Sequence, residues 1–351
     1  MAIIDKPNDF FNTEIYTGNA GTRTIDNGFR SDFLWIKARS ATTDYRLFDT
    51  LRGTEALVSN TDSGQINRAG YGFTSLASNG FTLNGNASGG EVNANNQPYV
   101  AWSWKGNGTT NANNTAGTIN STVNLNTTSG FSIVQFTGTG GGATVGHGLG
   151  SVPKMIILKK TNGGADWIVY HTSMGNTKAL KLNSTAALST DNGYFNATTP
   201  TSTLFSLGND GFTNGNNATI IAYCFAEKTG YSKFGSYTGT GSTDGPFIYT
   251  GFKPAFVLIK SSSSSGSWLL WDNKRSLSGG FNTNSYILVP SNNEVEQTGT
   301  NYAIDMVSNG FKLRNNNGNV QNSGETAIYM AFAENPLVAN SGTDGVPATA
   351  R

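Results

Sequence analysis

The stretch Phe33-Leu34-Trp35-Ile36-Lys37 returns as Met155-Ile156-Ile157-Leu158-Lys159 and as Phe256-Val257-Leu258-Ile259-Lys260. Each copy is a short apolar run closed by a lysine, and a run of about five residues fits a strand better than a helix. Because consecutive positions are apolar, we expect each strand either to be covered on both faces or to be buried centrally in a sandwich. Three aligned copies indicate that one module is used three times along the chain.

The repeat extends to both sides of the apolar runs. Upstream lies an aromatic-Thr-Gly segment, and downstream lie an Asn-Gly-Phe or Asp-Gly-Phe turn and a closing aromatic strand. Two aromatics follow each lysine at matching distances, and a polar residue comes directly after the second one. These aromatic pairs are Tyr45 and Phe48, Trp167 and Tyr170, and Trp268 and Trp271, followed by Asp49, His171 and Asp272.

The module boundaries fall near residues 125 and 229. We expect a first β module with a C-terminal linker at residues 1–125, a second at 126–229, a third at 230–335 and a polar tail at 336–351. Residues 105–129 are rich in Gly, Asn and Thr, which predicts a flexible or extended linker. The junction near residue 229 is short, so we expect the second and third modules to be fixed relative to each other.

The composition favours an all-β fold. Charged residues make up 13% of the chain, about half the usual share, while 20 Phe, 13 Tyr and 6 Trp supply material for cores. A disordered chain carries fewer aromatics and more charge. The 44 glycines suit short strands joined by tight turns. We therefore predict three tandem β-sandwich modules, jelly-roll-like, with little helix.

Several classes of partner are excluded by simple counts. A net charge of +1 gives no basic field for nucleic acid. No apolar stretch approaches the roughly 20 residues that span a bilayer, so we expect no membrane insertion, and no secretion signal is visible. The single cysteine, Cys224, is expected to pack as a small hydrophobe.

The sequence predicts no catalytic, cofactor-binding or metal-binding residues. The histidines His147 and His171 have separate local settings, and the repeated aspartates Asp49 and Asp272 belong to different modules. A metal site needs converging ligands, and a glycosidase needs two carboxylates in one cleft. The phosphate-binding and nucleophile-elbow motifs are also missing. We predict that the protein is not an enzyme.

The aromatic pairs have two interpretations. Tyr45, Phe48, Trp167, Tyr170, Trp268 and Trp271 could form flat platforms for sugar rings or fill the module cores, and the core interpretation is favoured. The lysines Lys37, Lys159 and Lys260 are expected to be strand-end charges whose ammonium groups reach solvent, with a neighbouring carboxylate as a candidate partner.

At the level of these motifs the chain resembles a family of phage virion proteins common in marine phage genomes, usually described as tail or tail-fibre proteins. The resemblance rests on residues 8–19, 28–37, 47–53, 78–81 and 99–105, and it continues through all three modules. The Gly-Phe turn before the lysine-ended strand is its most specific part. It implies a structural virion component and no catalytic residues.

These observations lead to an expectation about function. We expect a tail fibre or tail-tip component of a virion, a homotrimer that contacts other virion proteins and a host-surface glycan. The N-terminal segment around Phe10 and Phe11 would attach to the particle, with the later modules facing outward. Two alternatives remain open, namely a capsid decoration or head-fibre protein and a polysaccharide-degrading tailspike.

Overall fold

The computed structural model describes residues 3–84, 92–108, 110–275 and 283–337, and strands dominate these ranges. Helix within them is confined to α1 (Asn192–Phe195), α2 (Gly211–Asn214) and 3₁₀ turns at Pro7–Asp9 and Thr300–Tyr302. The prediction of an all-β fold with little helix is therefore confirmed.

The first sandwich pairs a large sheet of order β1-β9-β3-β4 with a small sheet of order β2-β8-β7. Side chains of β3 and β9 pack against β7 and β8, as Ile36 and Ala101 do with Phe73 and Phe81. Its strands are β1 (Phe11–Thr17), β2 (Arg23–Asp26), β3 (Phe33–Ala38), β4 (Arg46–Asp49), β5 (Glu55–Ala56), β6 (Ile66–Asn67), β7 (Phe73–Ala77), β8 (Gly80–Leu83) and β9 (Pro98–Trp104).

The second sandwich has the longest sheet, of order β10-β11-β12-β19-β14-β15-β16-β17, and a small sheet in which β13 pairs with β18. Its strands are β10 (Thr110–Asn114), β11 (Ser121–Asn126), β12 (Phe131–Thr137), β13 (Ala143–Gly146), β14 (Pro153–Lys160), β15 (Ile168–His171), β16 (Lys178–Lys181), β17 (Ser189–Thr190), β18 (Leu204–Leu207) and β19 (Thr219–Ala226).

The third sandwich pairs a large sheet of order β20-β29-β22-β23 with a small sheet of order β21-β28-β27-β24. Its strands are β20 (Ser232–Thr238), β21 (Phe247–Tyr249), β22 (Phe252–Ser261), β23 (Leu269–Asp272), β24 (Thr283–Asn284), β25 (Tyr286–Ile287), β26 (Gln297–Thr298), β27 (Ile304–Val307), β28 (Gly310–Leu313) and β29 (Thr326–Pro336).

One order of four antiparallel strands recurs in the three large sheets. It runs from an opening strand to the closing strand, then to the lysine-ended strand and to the strand that carries the aromatic pair, which we call the pair strand. The recurring sets are β1-β9-β3-β4, β12-β19-β14-β15 and β20-β29-β22-β23. The recurring strand order in the structure thus corresponds to the recurring motifs in the sequence.

The three large sheets share one central core. One face of each sheet packs on its own small sheet, and the opposite faces meet one another in a single buried cluster. Trp104 of β9 shows this sharing, because its ring centroid lies 6.2 Å from Phe225, 5.6 Å from Phe256 and 5.5 Å from Phe332. The lysine-ended strands are therefore covered on both faces, as their continuous apolar runs predict.

Backbone hydrogen bonds close the three sandwiches into a ring. The carbonyl two residues after each repeat lysine accepts an N–H from a neighbouring sandwich. The first sandwich thereby contacts the third, the second contacts the first, and the third contacts the second. The bonds run from Glu296 to Arg39 at 2.8 Å, from Gln65 to Thr161 at 2.8 Å and from Leu188 to Ser262 at 3.0 Å. The same contact is made three times in one cyclic sense, so no sandwich is left at an open end.

Two regions differ from the sequence-based expectation. The predicted linker at 105–129 contains β10 and β11, and β11 is hydrogen-bonded to β10 on one side and to β12 on the other. Phe11 is 2% exposed and packs in the central core, 5.2 Å from the Phe332 ring. Its side chain is therefore not available to attach the chain to a particle. The polar tail predicted for 336–351 lies outside the described residues from position 338 onward.

Candidate functional site

The six candidate aromatics all lie inside the protein. Their exposed fractions range from 0% to 2%, so neither ring face is open to a sugar. The two members of each pair are three residues apart along an extended segment and therefore point to opposite sides. Tyr45, Trp167 and Trp268 lie in the central core, whereas Phe48, Tyr170 and Trp271 lie in the separate sandwich cores.

The central members of the pairs also join neighbouring sandwiches. The indole N–H of Trp167 donates to the Val58 carbonyl of the first sandwich at 2.8 Å. The indole N–H of Trp268 donates in the same way to the Lys181 carbonyl of the second sandwich at 2.9 Å. Each indole thus pairs its one donor while it fills the core between two sandwiches.

The three repeat lysines are buried, which corrects the expectation that they reach solvent. Lys37, Lys159 and Lys260 are 0% exposed, and each ammonium group donates to two backbone carbonyls. Two of these bonds cross between sandwiches, from Lys159 to Asp62 at 2.7 Å and from Lys260 to Thr185 at 3.3 Å. Burial lowers the pKa of each lysine to about 8, against the opposing effect of nearby carboxylates. The lysines therefore anchor loops to the strand ends.

The repeated aspartates accept hydrogen bonds from the closing strand of the next sandwich. The Tyr223 hydroxyl donates to Asp49 at 2.7 Å, and the Trp102 indole N–H donates to Asp272 at 3.0 Å. An arginine three residues on completes each site, Arg52 at 2.7 Å from Asp49 and Arg275 at 2.5 Å from Asp272. Both carboxylates are thus held in buried ion pairs within their own sandwich, and the hydrogen bond from the closing strand crosses to the next sandwich.

The second sandwich carries a different set of residues at the same place. His171 stands where the other sandwiches have aspartate, and Met174 stands where they have arginine. The facing position on the closing strand of the third sandwich is Met330, which has no donor to offer a carboxylate. The His171 Nε2 instead contacts the Tyr329 carbonyl at 3.2 Å, while its Nδ1 accepts the Ser173 N–H at 3.2 Å. All three members of the set are uncharged at this junction.

Burial keeps both histidines neutral near pH 7. His147 accepts the Leu149 N–H at Nδ1 and contacts the Thr201 carbonyl through Nε2 at 3.1 Å. Burial lowers the pKa of His147 and of His171 to about 4. Cys224 is buried and free, in the core of the second sandwich, as a small hydrophobe would be. Across the described ranges, no three His, Cys, Asp or Glu side chains converge as a metal site would require.

An exposed aromatic pair lies on a different strand from those that the repeat singles out. Phe247 and Tyr249 of β21 are 45% and 58% exposed, while Ile248 between them is buried. The two rings therefore share the outward face of the small sheet. Other exposed large apolar residues in the described ranges are Ile15, Tyr71, Val152 and Val295, and none of these shares a strand with another.

The exposed pair has charged groups on one side and a cleft on the other. Lys312, the cross-strand partner of Phe247, lies 2.9 Å from Asp244, and Arg314 lies 3.0 Å from the same carboxylate. At the other end, Tyr249 borders a cleft of about 290 Å³ that is also lined by Glu227 and Lys233, which are 2.8 Å apart. We call this outward face the β21 surface. It comprises Phe247 and Tyr249, the ion pairs of Asp244 with Lys312 and Arg314, and the cleft beside Tyr249.

Comparison with known families gives a match over most of the chain. The family model described as "Domain of unknown function (DUF7483)" matches residues 6–336. The sequence has no significant match among curated proteins. In the part of the chain that the structure describes, no helix is both long enough and apolar enough to cross a membrane.

Proposed function

We propose that this chain, which belongs to the DUF7483 family, a domain of unknown function, is a non-enzymatic structural protein of a phage virion. Within the virion we propose a tail fibre or a tail-tip component that contacts the host surface. The proposal draws on the motif-level resemblance to tail and tail-fibre proteins. It also draws on the use of the repeated residues as scaffold.

The observation that carries the proposal is the closed ring itself. The repeated aromatics, lysines and aspartates are buried, and Trp167, Lys260 and Asp49 are among those that bond one sandwich to the next. A ring with a shared core holds its outer sheets in fixed positions, which suits a protein that presents surfaces on a particle. The small sheets and loops, which differ among the sandwiches, are then the parts that distinguish one contact from another.

Labelled antibodies on intact particles test the placement. Antibodies raised against the folded protein should bind at the tail or tail tip when purified virions are imaged. Labelling over the capsid shell would instead favour a decoration or head-fibre protein, and its copy number per particle would be far higher. Purified virions that carry none of this protein would refute a virion role altogether.

The proposal includes self-association as a homotrimer, the assembly expected from the sequence. One chain already arranges three sandwiches around one core, so a homotrimer would use outer surfaces of the ring. Sedimentation equilibrium of the full chain should give three times the 37.1 kDa chain mass. A single-chain mass at all concentrations tested would refute the homotrimer without affecting the placement on the tail.

A further inference from the structure

We propose that the β21 surface is a saccharide-binding site for one or two sugar rings of a host-surface polysaccharide. Its biological role rests on the proposed function, whereas the binding itself is a property of the isolated chain. The site is formed by Phe247 and Tyr249, the ion-pair network around Asp244 and the cleft beside Tyr249.

The two rings are exposed side by side on one strand. They are two residues apart on one face of β21, which separates their Cα atoms by about 7 Å. Each ring lies close to a glycine. A Cβ added at Gly310 would lie 3.0 Å from the Phe247 ring, and one added at Gly251 would lie 3.6 Å from the Tyr249 hydroxyl. The rings therefore lie near backbone on one side, and about half of each side chain remains exposed to solvent.

Hydrogen-bonding groups flank the rings on both sides. Asp244 is 76% exposed and is held by Lys312 and Arg314, and Arg314 also pairs with Asp305 at 2.5 Å. In the cleft, Glu227 and Lys233 present a second acceptor and donor. A sugar ring has apolar C–H faces and hydroxyls at its edge. Stacking on an aromatic and bonding to paired charges at the sides match this chemistry.

A saccharide fits this surface better than a protein does. A stable protein interface buries roughly 800 Å² on each partner, with an apolar core. The β21 surface offers two rings, bordered directly by Lys312, Arg314 and Asp244. A polysaccharide segment needs only a narrow track of this kind. The cleft of about 290 Å³ is just smaller than the usual small-ligand pocket, which starts at about 300 Å³, so it suits a single sugar ring better than a larger group.

The first sandwich provides an internal comparison. In β2, Thr24 and Asp26 occupy the places of Phe247 and Tyr249, because Asp26 pairs with Gly80 as Tyr249 pairs with Gly310. The sheet geometry is kept there, but the rings are absent. The aromatic pair is thus a local addition to the third sandwich and is not required by the shared strand pairing.

Glycan-array binding of the full chain tests the proposal. The probe is a microarray of neutral and acidic hexose oligosaccharides, followed by titration of the best-bound oligosaccharide in solution. We expect binding by the natural chain and at least about tenfold weaker binding by Phe247→Ala/Tyr249→Ala, since a tenfold change corresponds to only about 1.4 kcal/mol. Asp244→Ala, which leaves both rings in place, should also weaken binding.

The control is Tyr71→Ala, which removes a 44% exposed tyrosine from the first sandwich and should leave affinity unchanged. Each variant should keep the natural melting temperature, because the altered side chains are exposed. No oligosaccharide bound by the natural chain, or equal binding by the double variant, would overturn the proposal. Concentration-dependent self-association that the double variant abolishes would show instead that the β21 surface is a contact between copies.

The two proposals can fail separately. Oligosaccharide binding that depends on Phe247 and Tyr249, in a protein missing from purified virions, would keep the site and refute the virion role. Antibody labelling of tails by a chain that binds no oligosaccharide would keep the virion role and refute the site.

Discussion

At each junction between sandwiches, one side chain of a pair strand meets the closing strand of the next sandwich. Asp49 meets Tyr223 and Asp272 meets Trp102, whereas His171 lies against β29, where Met330 stands in place of the donor. The arginine partner changes together with them, since Met174 replaces it beside His171. A buried carboxylate without donors and a buried guanidinium without a carboxylate are both strongly unfavourable. The three positions must therefore change as a set.

This coupling predicts the effect of changing one member alone. His171→Asp places a buried carboxylate against Met330 and Met174 and should reduce the free energy of unfolding by roughly 3–5 kcal/mol. The triple variant His171→Asp/Met174→Arg/Met330→Tyr recreates the set formed by Asp49, Arg52 and Tyr223 and should recover most of the loss. Urea unfolding at pH 7 measures both.

Ser173→Asp is the matched control for this prediction, because it adds the same charge at an exposed position two residues away. Its stability should remain within about 0.5 kcal/mol of the natural chain. A His171→Asp chain as stable as this control, or a triple variant no better than the single one, would contradict the coupling.

The two buried histidines predict a loss of stability in mild acid. Their folded pKa values are lowered to about 4, below the ordinary value of about 6.5. Above pH 6.5 neither state binds the proton, so their contribution is fully present. As the pH falls from 6.5 toward 4, the unfolded chain takes up protons that the folded chain does not. Each histidine then removes up to about 3 kcal/mol.

Urea unfolding at half-unit steps from pH 7 to pH 5 measures this slope. His147 precedes the turn glycine Gly148 as Asn27 precedes Gly28 in the first module, so His147→Asn installs a residue that the repeat already uses there, and it should remove about half of the slope. A slope that His147→Asn leaves unchanged would show that His147 is not held neutral by burial.

At the scale of elements, β10 and β11 show how a sequence that resembles a linker becomes part of a sheet. β11 lies between β10 and β12, and its Val123 and Asn124 are buried. We expect the β11 amides to exchange with deuterium slowly, at rates close to those of β12. Mass spectrometry measures this exchange. Exchange of the β11 amides at the rate of an unstructured peptide would support the linker interpretation of residues 105–129.

The strand pattern was predictable because a strand that is covered on both faces has apolar residues at consecutive positions. The runs at residues 33–36, 155–158 and 256–259 are apolar throughout, and one face of each lies in the central core. The linker prediction for residues 105–129 missed β10 and β11 because Asn and Thr form a strand when a neighbouring sheet supplies the hydrogen bonds. The burial of the lysines was not predictable for a related reason. Two of the ammonium groups donate to carbonyls of a neighbouring sandwich, which the sequence of one module does not show.

The β21 surface was not predictable from the repeat. Phe247, Ile248 and Tyr249 resemble any short strand of the chain, and their alternation becomes informative only when β21 is placed at the edge of its sheet. The aromatic pairs attracted attention because they recur, and they recur because they are packed in the cores. In this chain the candidate contact residues are those that one sandwich does not share with the others.

At the scale of the whole molecule, the three sandwiches are joined by one central core to which each contributes side chains. Trp104 contacts aromatic rings of the second and third sandwiches, and each sandwich bonds to the next around the ring. Loss of any one sandwich would expose the central faces of the other two. The ring should therefore unfold as one unit, although chains of this length commonly unfold domain by domain.

Scanning calorimetry tests this claim most directly. The closed ring predicts one transition whose calorimetric and van't Hoff enthalpies have a ratio of about one. Trp167→Ala, in the second sandwich, should shift that whole transition to lower temperature without splitting it. Three sandwiches that unfold independently would give a ratio of about three, or a separate transition moved by Trp167→Ala alone, and either result would contradict the shared core.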